Sequence, residues 1–200
     1  SVLFLLPEIN LTPQFMETFK KYLDCPVLPY HSGVTPSHKN SIWKFLKKAD
    51  RPVLLMGVRS SVFLPVENLG LVIVDEEHES SYKQFDPAPR YHARDAAIVL
   101  AGLFKSKTLL GSATPSLESY FNAQQNKYGL VEITKRYNNL LMPEIELVDI
   151  KDKHKRKRMK GHFSDRLIEE MTEALQDGHQ IILFQNRRGF SPIVECNTCG

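Results

Sequence analysis

Short apolar runs without polar alternation recur along the chain: Val2 to Leu6, Val53 to Met56, Leu71 to Val74, Thr108 to Leu110, Ile145 to Val148 and Ile181 to Phe184. Strands of a parallel sheet covered on both faces read this way. Between the runs the spacing becomes helical. Thr12 can cap a helix with Pro13 at its first position, and Phe15, Phe19, Tyr22 and Leu23 then share one stripe. Ile42, Phe45, Leu46 and Ala49 repeat that spacing, as do Ala93, Ala96, Ala97, Leu100 and Ala101. Ser164 caps a last helix whose Leu167, Met171, Ala174 and Leu175 line up before Gly178. Strand and helix alternate, which predicts an α/β layered fold with a mainly parallel sheet. From about Lys135 to Phe163 the helical pattern lapses, so a linker is expected there between a first domain and the start of a second. No internal repeat is present.

Charge sharpens the picture. The 200 residues carry 26 Lys and Arg against 23 Asp and Glu, a formal net charge of +3. Seven of those cations and one Asp fall in the tract Lys151 to Lys160, which alone is +6, and the other 190 positions sum to −3. Such a tract either tracks a phosphate backbone or is a solvated linker. No apolar run approaches the roughly 18 residues of a membrane helix, and no basic leader with a small-residue cleavage site stands near Ser1. A soluble, intracellular chain with no membrane partner is therefore expected. Three cysteines, Cys25 alone and Cys196 with Cys199, do not suit a disulfide framework and point to a reducing compartment. The Cys196-Asn-Thr-Cys199 pair has zinc-knuckle spacing, yet a structural zinc needs a full tetrahedral set, so it is either half a site or two free thiols. With no initiator Met and a Cys-x-x-Cys-Gly ending, the chain reads as a piece of something longer.

The strongest chemical signal is Asp75-Glu76-Glu77-His78, directly after the run Leu71 to Val74. Carboxylates there lie at the carboxyl edge of a parallel sheet, where α/β folds bind ligands. In a nucleoside triphosphatase the first carboxylate holds Mg²⁺ through water and the second deprotonates the attacking water, which casts Asp75 as metal residue, Glu76 as base and His78 as a link to neighbouring loops. A solvated acidic turn is the alternative. The next run leads into Gly111-Ser112-Ala113-Thr114-Pro115-Ser116, whose small hydroxylated residues could hydrogen-bond His78; by itself this hexapeptide could be a turn capping a helix near Pro115.

Between Ser80 and Asp95 the residues Tyr82, Lys83, Phe85, Arg90, Tyr91, His92 and Arg94 interleave aromatics with cations. That mixture suits stacking on bases and contact with phosphates, or a surface loop tucked down by its rings. Pro87 and Pro89 argue against a regular element there. Asn10, Thr12 and Gln14 follow the first run and open a helix, where backbone N–H groups favour a phosphate. Arg187 and Arg188 follow the last run, where a cationic pair could meet nucleic acid, an interlobe cleft or merely solvent.

Together these stretches resemble motifs II and III of superfamily 2 helicases, with a DEAH-type box written DEEH. More narrowly, LLPEINLTPQ, HSG, GVRSSVFLP, DEEHESSYKQ, PRYHARD, GSATPSLES and NRRGF with the following Cys-x-x-Cys-Gly resemble, in order along the chain, the bacterial PriA family of primosomal DNA helicases. The resemblance implies a first RecA-like lobe over residues 1–135 that lacks its phosphate-loop strand. It further implies an interlobe linker with the basic tract over 136–163, then over 164–200 the start of a second lobe and of a zinc-binding insertion. It implies ATP and Mg²⁺ at Asp75 and Glu76 with His78, and coupling through Gly111, Ser112, Ala113 and Thr114. DNA contacts are implied at Asn10, Thr12, Gln14, Arg59 and Ser60, with Val58 standing where family members tend to have Thr. The aromatic-rich loop with Tyr82, Lys83, Arg90, Tyr91 and Arg94 would couple DNA contact to ATP hydrolysis. Cys196 and Cys199 would be one ligand pair for two structural Zn²⁺ ions. Implied partners are forked and single-stranded DNA, single-stranded DNA-binding protein and other primosome and replication-restart proteins, in bacterial cytoplasm. No G-x-x-x-x-G-K-[ST] occurs, so the ATP phosphate cradle is expected to precede Ser1. The missing loop favours a non-catalytic nucleic-acid-binding module; intact Asp75, Glu76 and GSATPS favour a part of an active enzyme. Another superfamily 2 translocase would lack the cysteine cluster.

Overall fold

The computed structural model describes residues 1–7 and 13–184. Asn10, Thr12, Arg187, Arg188, Cys196 and Cys199 lie outside the described residues. The chain divides into two compact units, Ser1–Glu132 and Ile133–Gly200.

The first unit is built on a five-stranded parallel sheet in the order β2-β3-β1-β4-β5, formed by β1 (Val2–Leu5), β2 (Val27–Tyr30), β3 (Leu54–Gly57), β4 (Leu71–Val74) and β5 (Lys107–Leu110). The α/β expectation holds. In register, Val2 of β1 lies beside Leu54 of β3 on one side and Leu71 of β4 on the other. Alternation along β1 sends Leu3 and Leu5 to one face and Phe4 to the other. The first face is covered by α2 (Pro36–Leu46), through Ile42 and Leu46, and by α3 (Ala93–Leu103), through Ala93, Ala97 and Ala101. The second is covered by α1 (Pro13–Tyr22), whose Phe15 and Phe19 meet Phe4 edge-on at centroid distances of 6.3 and 5.8 Å. Caps set two helix starts: Thr35 accepts from His38 N–H ahead of α2, and Ser116 from Ser119 N–H ahead of α4 (Leu117–Gln124).

In the second unit, α5 (Ile150–Lys155) and a short antiparallel hairpin, β6 (Met159–Lys160) with β7 (Phe163–Ser164), precede α6 (Asp165–Gln176). Ser164 caps α6 as its sequence predicts, accepting from Leu167 N–H. Two expectations are corrected here. The basic tract is an ordered helix and hairpin, not a lapse in structure: Asp149 caps α5 by accepting from Lys151 and Asp152 N–H. The runs Ile145 to Val148 and Ile181 to Phe184 form no strand, and Leu147 and Ile182 are more than nine-tenths exposed. Among the described residues no helix is long and apolar enough to cross a membrane.

Candidate active site

Strands β1 and β5 flank β4, and their hydrogen bonding continues past the strand end to hold the acidic turn. Asp75 N–H donates to Leu5 O (3.0 Å), Gly111 N–H to Val74 O (2.9 Å) and Glu77 N–H to Gly111 O (3.0 Å). Glu76 sits at φ 46°, a left-handed conformation that side-chain-bearing residues adopt only when the surroundings hold them there. The turn divides its carboxylates by environment: Asp75 and Glu76 are half-exposed, and Glu77 is 1% exposed. Among the described residues, no hydrogen bond is made to the Asp75 carboxylate.

The histidine closes the bridge that the sequence suggests. His78 Nδ1 shares a 2.7 Å hydrogen bond with Ser112 Oγ, and His78 Nε2 lies 3.4 Å from Thr114 Oγ1. Ser112 Oγ also accepts from Thr114 N–H at 2.9 Å. Glu76 Oε2 stands 3.6 Å from His78 Nδ1, so the expected base and the hydroxylated loop meet through one imidazole. Gly111 lies against Asp75, where a Cβ would come 3.7 Å from Oδ1.

Beneath this layer is a buried network. Arg94 Nη1 donates to Glu77 Oε2 (2.8 Å) and to Ser116 Oγ (2.7 Å), and Arg94 Nε donates to Asp95 (2.8 Å). Ser116 N–H and Ser119 Oγ donate to Glu77 at 2.6 and 2.8 Å. Burial by itself would raise the Glu77 pKa, but the donors from Ser116, Arg94 and Ser119 outweigh it and hold the carboxyl below its ordinary range. Burial likewise opposes the charge on Arg94, and hydrogen bonds to Asp95 and Glu77 reverse the effect. The pair is thus charged, and it ties the acidic turn to the starts of α3 and α4.

The aromatic-rich loop folds back on the same turn. Tyr82 is 1% exposed and its hydroxyl donates to Asp75 O at 2.7 Å. Burial and the nearby Asp75, Glu76 and Glu79 carboxylates push its phenol pKa far up. Arg59 donates to Lys83 O at 2.8 Å, Gln84 N–H donates to Tyr91 O at 2.9 Å, and Tyr91 packs edge-on to Phe63 at 4.8 Å. The Asp86-Pro87 and Ala88-Pro89 peptide bonds are cis, and the loop has no regular element beyond a single turn over Ser80–Tyr82. Tyr82 and Arg94, expected at DNA, therefore sit inside the fold, the Tyr82 hydroxyl bonded to Asp75 O and Arg94 bonded through Nη1 and Nε, and in this structure neither presents a face to a base or a phosphate. Lys83 and Tyr91 are half-buried, and Arg90, Ser60 and Gln14 are exposed. At the carboxyl ends of β1 to β3, a depression of about 400 Å³ is lined by Ser32, Lys39, Arg59, Ser60 and Gln84 among others.

Comparison with known proteins places this geometry. The DEAD/DEAH box helicase family model matches residues 1–122, which contain the sheet, the acidic turn and the hydroxylated loop. The chain belongs to the DEAD/DEAH box helicase family. Its relatives include three proteins named Replication restart protein PriA. The one from Bacillus subtilis is 43% identical over 98% of this chain. Those from Haemophilus influenzae and Rickettsia felis are each 41% identical over all of it. The chain spans 24%, 26% and 30% of those relatives' own lengths. The first unit is thus a RecA-like helicase lobe, with its DEAH-type box at the end of β4 and the hydroxylated loop at the end of β5.

For this helicase lobe, sequence reasoning missed Glu77, Ser116 and Ser119. Ser116-x-x-Ser119 at a helix start carried a usable signal, because capping places both hydroxyls at one helix end. Glu77 carried none, since it looks like one more acid in an exposed box.

Proposed function

We propose that the chain forms the first motor lobe, and the beginning of a second, of an ATP-dependent DNA helicase that moves 3′ to 5′ on single-stranded DNA. It unwinds stalled or repaired forks and initiates primosome assembly for replication restart, in the cytoplasm, with single-stranded DNA-binding protein and other restart proteins as partners. The observation that carries this reading is the His78 bridge, which joins Glu76 to Ser112 and Thr114 above a turn that Tyr82 of the aromatic-rich loop also grips. A change at the nucleotide would be felt in the coupling loop and in the DNA-facing loop through a few bonds.

Asp75 offers hard oxygen donors free of protein hydrogen bonds among the described residues, and those residues form no cluster of three or more potential metal ligands. That suits Mg²⁺, which keeps several waters and takes few carboxylates, rather than a protein cage. Bound Mg²⁺-ATP would supply the phosphoryl group and offset its charge. Asp75 would hold the hydrated ion, and Glu76 would orient a water and take its proton as the oxygen attacks. His78 would sense the state of Glu76. Lys83, Arg90, Tyr91, Arg59, Ser60 and Gln14, together with Asn10 and Thr12, would meet the DNA strand, and Tyr82 and Arg94 would transmit its engagement from within. Arg187 and Arg188 would face nucleic acid or the interlobe cleft, and Cys196 with Cys199 would begin a zinc site. This chain holds no G-x-x-x-x-G-K-[ST] loop, so the catalytic test belongs in the full-length protein and the chain alone should hydrolyse ATP weakly if at all.

Glu76→Gln in the full-length protein should lower ATP turnover by about 100-fold or more, the usual contribution of a positioned general base, while ATP and DNA binding persist. Hydrolysis at the wild-type rate would remove Glu76 from the base role.

A further inference from the structure

The second unit separates its charges by element. Acids concentrate on α6, which carries Glu169, Glu170 and Glu173, and cations concentrate on α5 and the β6–β7 hairpin. Some of those cations hold the fold together. Lys153 and Arg158 both reach Asp165 at the start of α6, and Arg156 pairs with Asp152 one turn back. Asp165 N–H donates to Arg158 O at 3.0 Å and Arg158 N–H to Lys153 O at 2.8 Å, which fixes the hairpin base against the end of α5. The remaining cations have no such role. Lys151, Lys155, Lys157 and Lys160 are exposed, and among the described residues none of their ammonium groups meets a carboxylate. Their backbone is ordered by the Asp149 cap and by the ion pairs beneath, which a solvated linker would not require.

A second observation indicates what they face. In the hairpin Lys160 stands directly opposite Phe163, and directly opposed residues of an antiparallel pair project to the same side. Phe163 is 42% exposed. A cation and an exposed ring on one face match a strand whose bases are free to stack, and a paired duplex hides its base faces.

We propose that α5 and the β6–β7 hairpin form a sequence-independent platform for single-stranded DNA, with Lys151, Lys155, Lys157 and Lys160 along the phosphates and Phe163 stacked on a base. This contact is made of second-unit residues alone and needs no ATP turnover. It therefore stands or fails separately from the function proposed above.

The test uses the whole chain and fluorescence anisotropy with a labelled oligo-dT and a blunt duplex, across a salt series. Replacing all four lysines with Gln should flatten the dependence of log affinity on log salt for oligo-dT by up to about 3, because each single-strand phosphate contact contributes roughly 0.7. Phe163→Ala should weaken oligo-dT binding about ten-fold and leave the salt slope unchanged, with little effect on the duplex. Circular dichroism of both variants checks that α5 and α6 persist, and Phe163→Tyr, which keeps the ring, should restore binding. An unchanged slope in a folded lysine variant would overturn the platform, and equal losses for duplex and oligo-dT in Phe163→Ala would overturn the single-strand assignment.

Discussion

A carboxylate as buried as Glu77 costs several kcal/mol to desolvate, and only a dense set of donors makes its charged form the stable one. Arg94, Ser116 and Ser119 provide that set from two helix starts. Glu77→Gln should therefore destabilise the lobe by about 2 kcal/mol, the range for a hydrogen bond to a charged group, and Arg94→Met by about 3 kcal/mol because it leaves a buried charge unpaired. The double variant should lose clearly less than the sum when measured by urea denaturation, and strict additivity would show that the pair is not coupled. Its pH dependence has a defined sign. The Glu77 pKa is lowered by folding, so its contribution is full above the unfolded value near 4.5 and is lost as pH falls through the lower folded value. The stability difference between wild type and Glu77→Gln should thus narrow below about pH 4.5. None of this was legible from local pattern, because the partners lie 17 to 42 positions from Glu77 along the chain. The half-exposed pair Asp75 and Glu76 was legible, since an apolar run ending in acids already fixes a place in the sheet.

Elements followed the same logic. Strands β1, β3, β4 and β5 could be read from apolar runs because each places four consecutive residues in register in the parallel sheet. Strand β2 could not be read, since Val27–Tyr30 contains Pro29 and only Val27 is buried. It is an edge strand, where a missing N–H can face away from the ladder. The runs Ile145 to Val148 and Ile181 to Phe184 show the converse, for apolar residues alone make no strand without a neighbour to bond. Where β3 ends, one residue decides how closely elements meet. A Cβ at Gly57 would lie 1.9 Å from Ser61 Oγ and 2.9 Å from Tyr30 O, and Ser61 is fully buried with its hydroxyl donating to Tyr30 O. Gly57→Ala should push away the turn that carries Arg59 and cost about 1 to 3 kcal/mol, as overpacking does. Adding Ser61→Gly should recover much of that loss in urea denaturation. A Gly57→Ala variant as stable as wild type would mean that the turn yields freely.

At the scale of the molecule, burial is distributed very unevenly. The buried apolar core, from Leu3 to Ala101, lies wholly within Ser1–Glu132, and among the described residues of the second unit only Ser164 is buried. Local stability follows buried apolar contact, and exposed ion pairs add little, so the two units should open at different free energies. The second unit is held chiefly by capping at Asp149 and Ser164 and by ion pairs at Asp165 and Arg166, several of them half-exposed. Hydrogen exchange followed by mass spectrometry should find the amides of β1, β3 and β4 protected longest, with those of α5 and α6 exchanging orders of magnitude sooner. Because salt screens exposed charges, raising ionic strength should speed exchange in α5 and the β6–β7 hairpin and leave β1 unaffected. Binding of oligo-dT to the platform should act in the opposite direction, slowing exchange in α5 and the hairpin by stabilising the ordered form. Protection in α6 equal to that in β1 would show that the second unit draws its stability from contacts other than those charges.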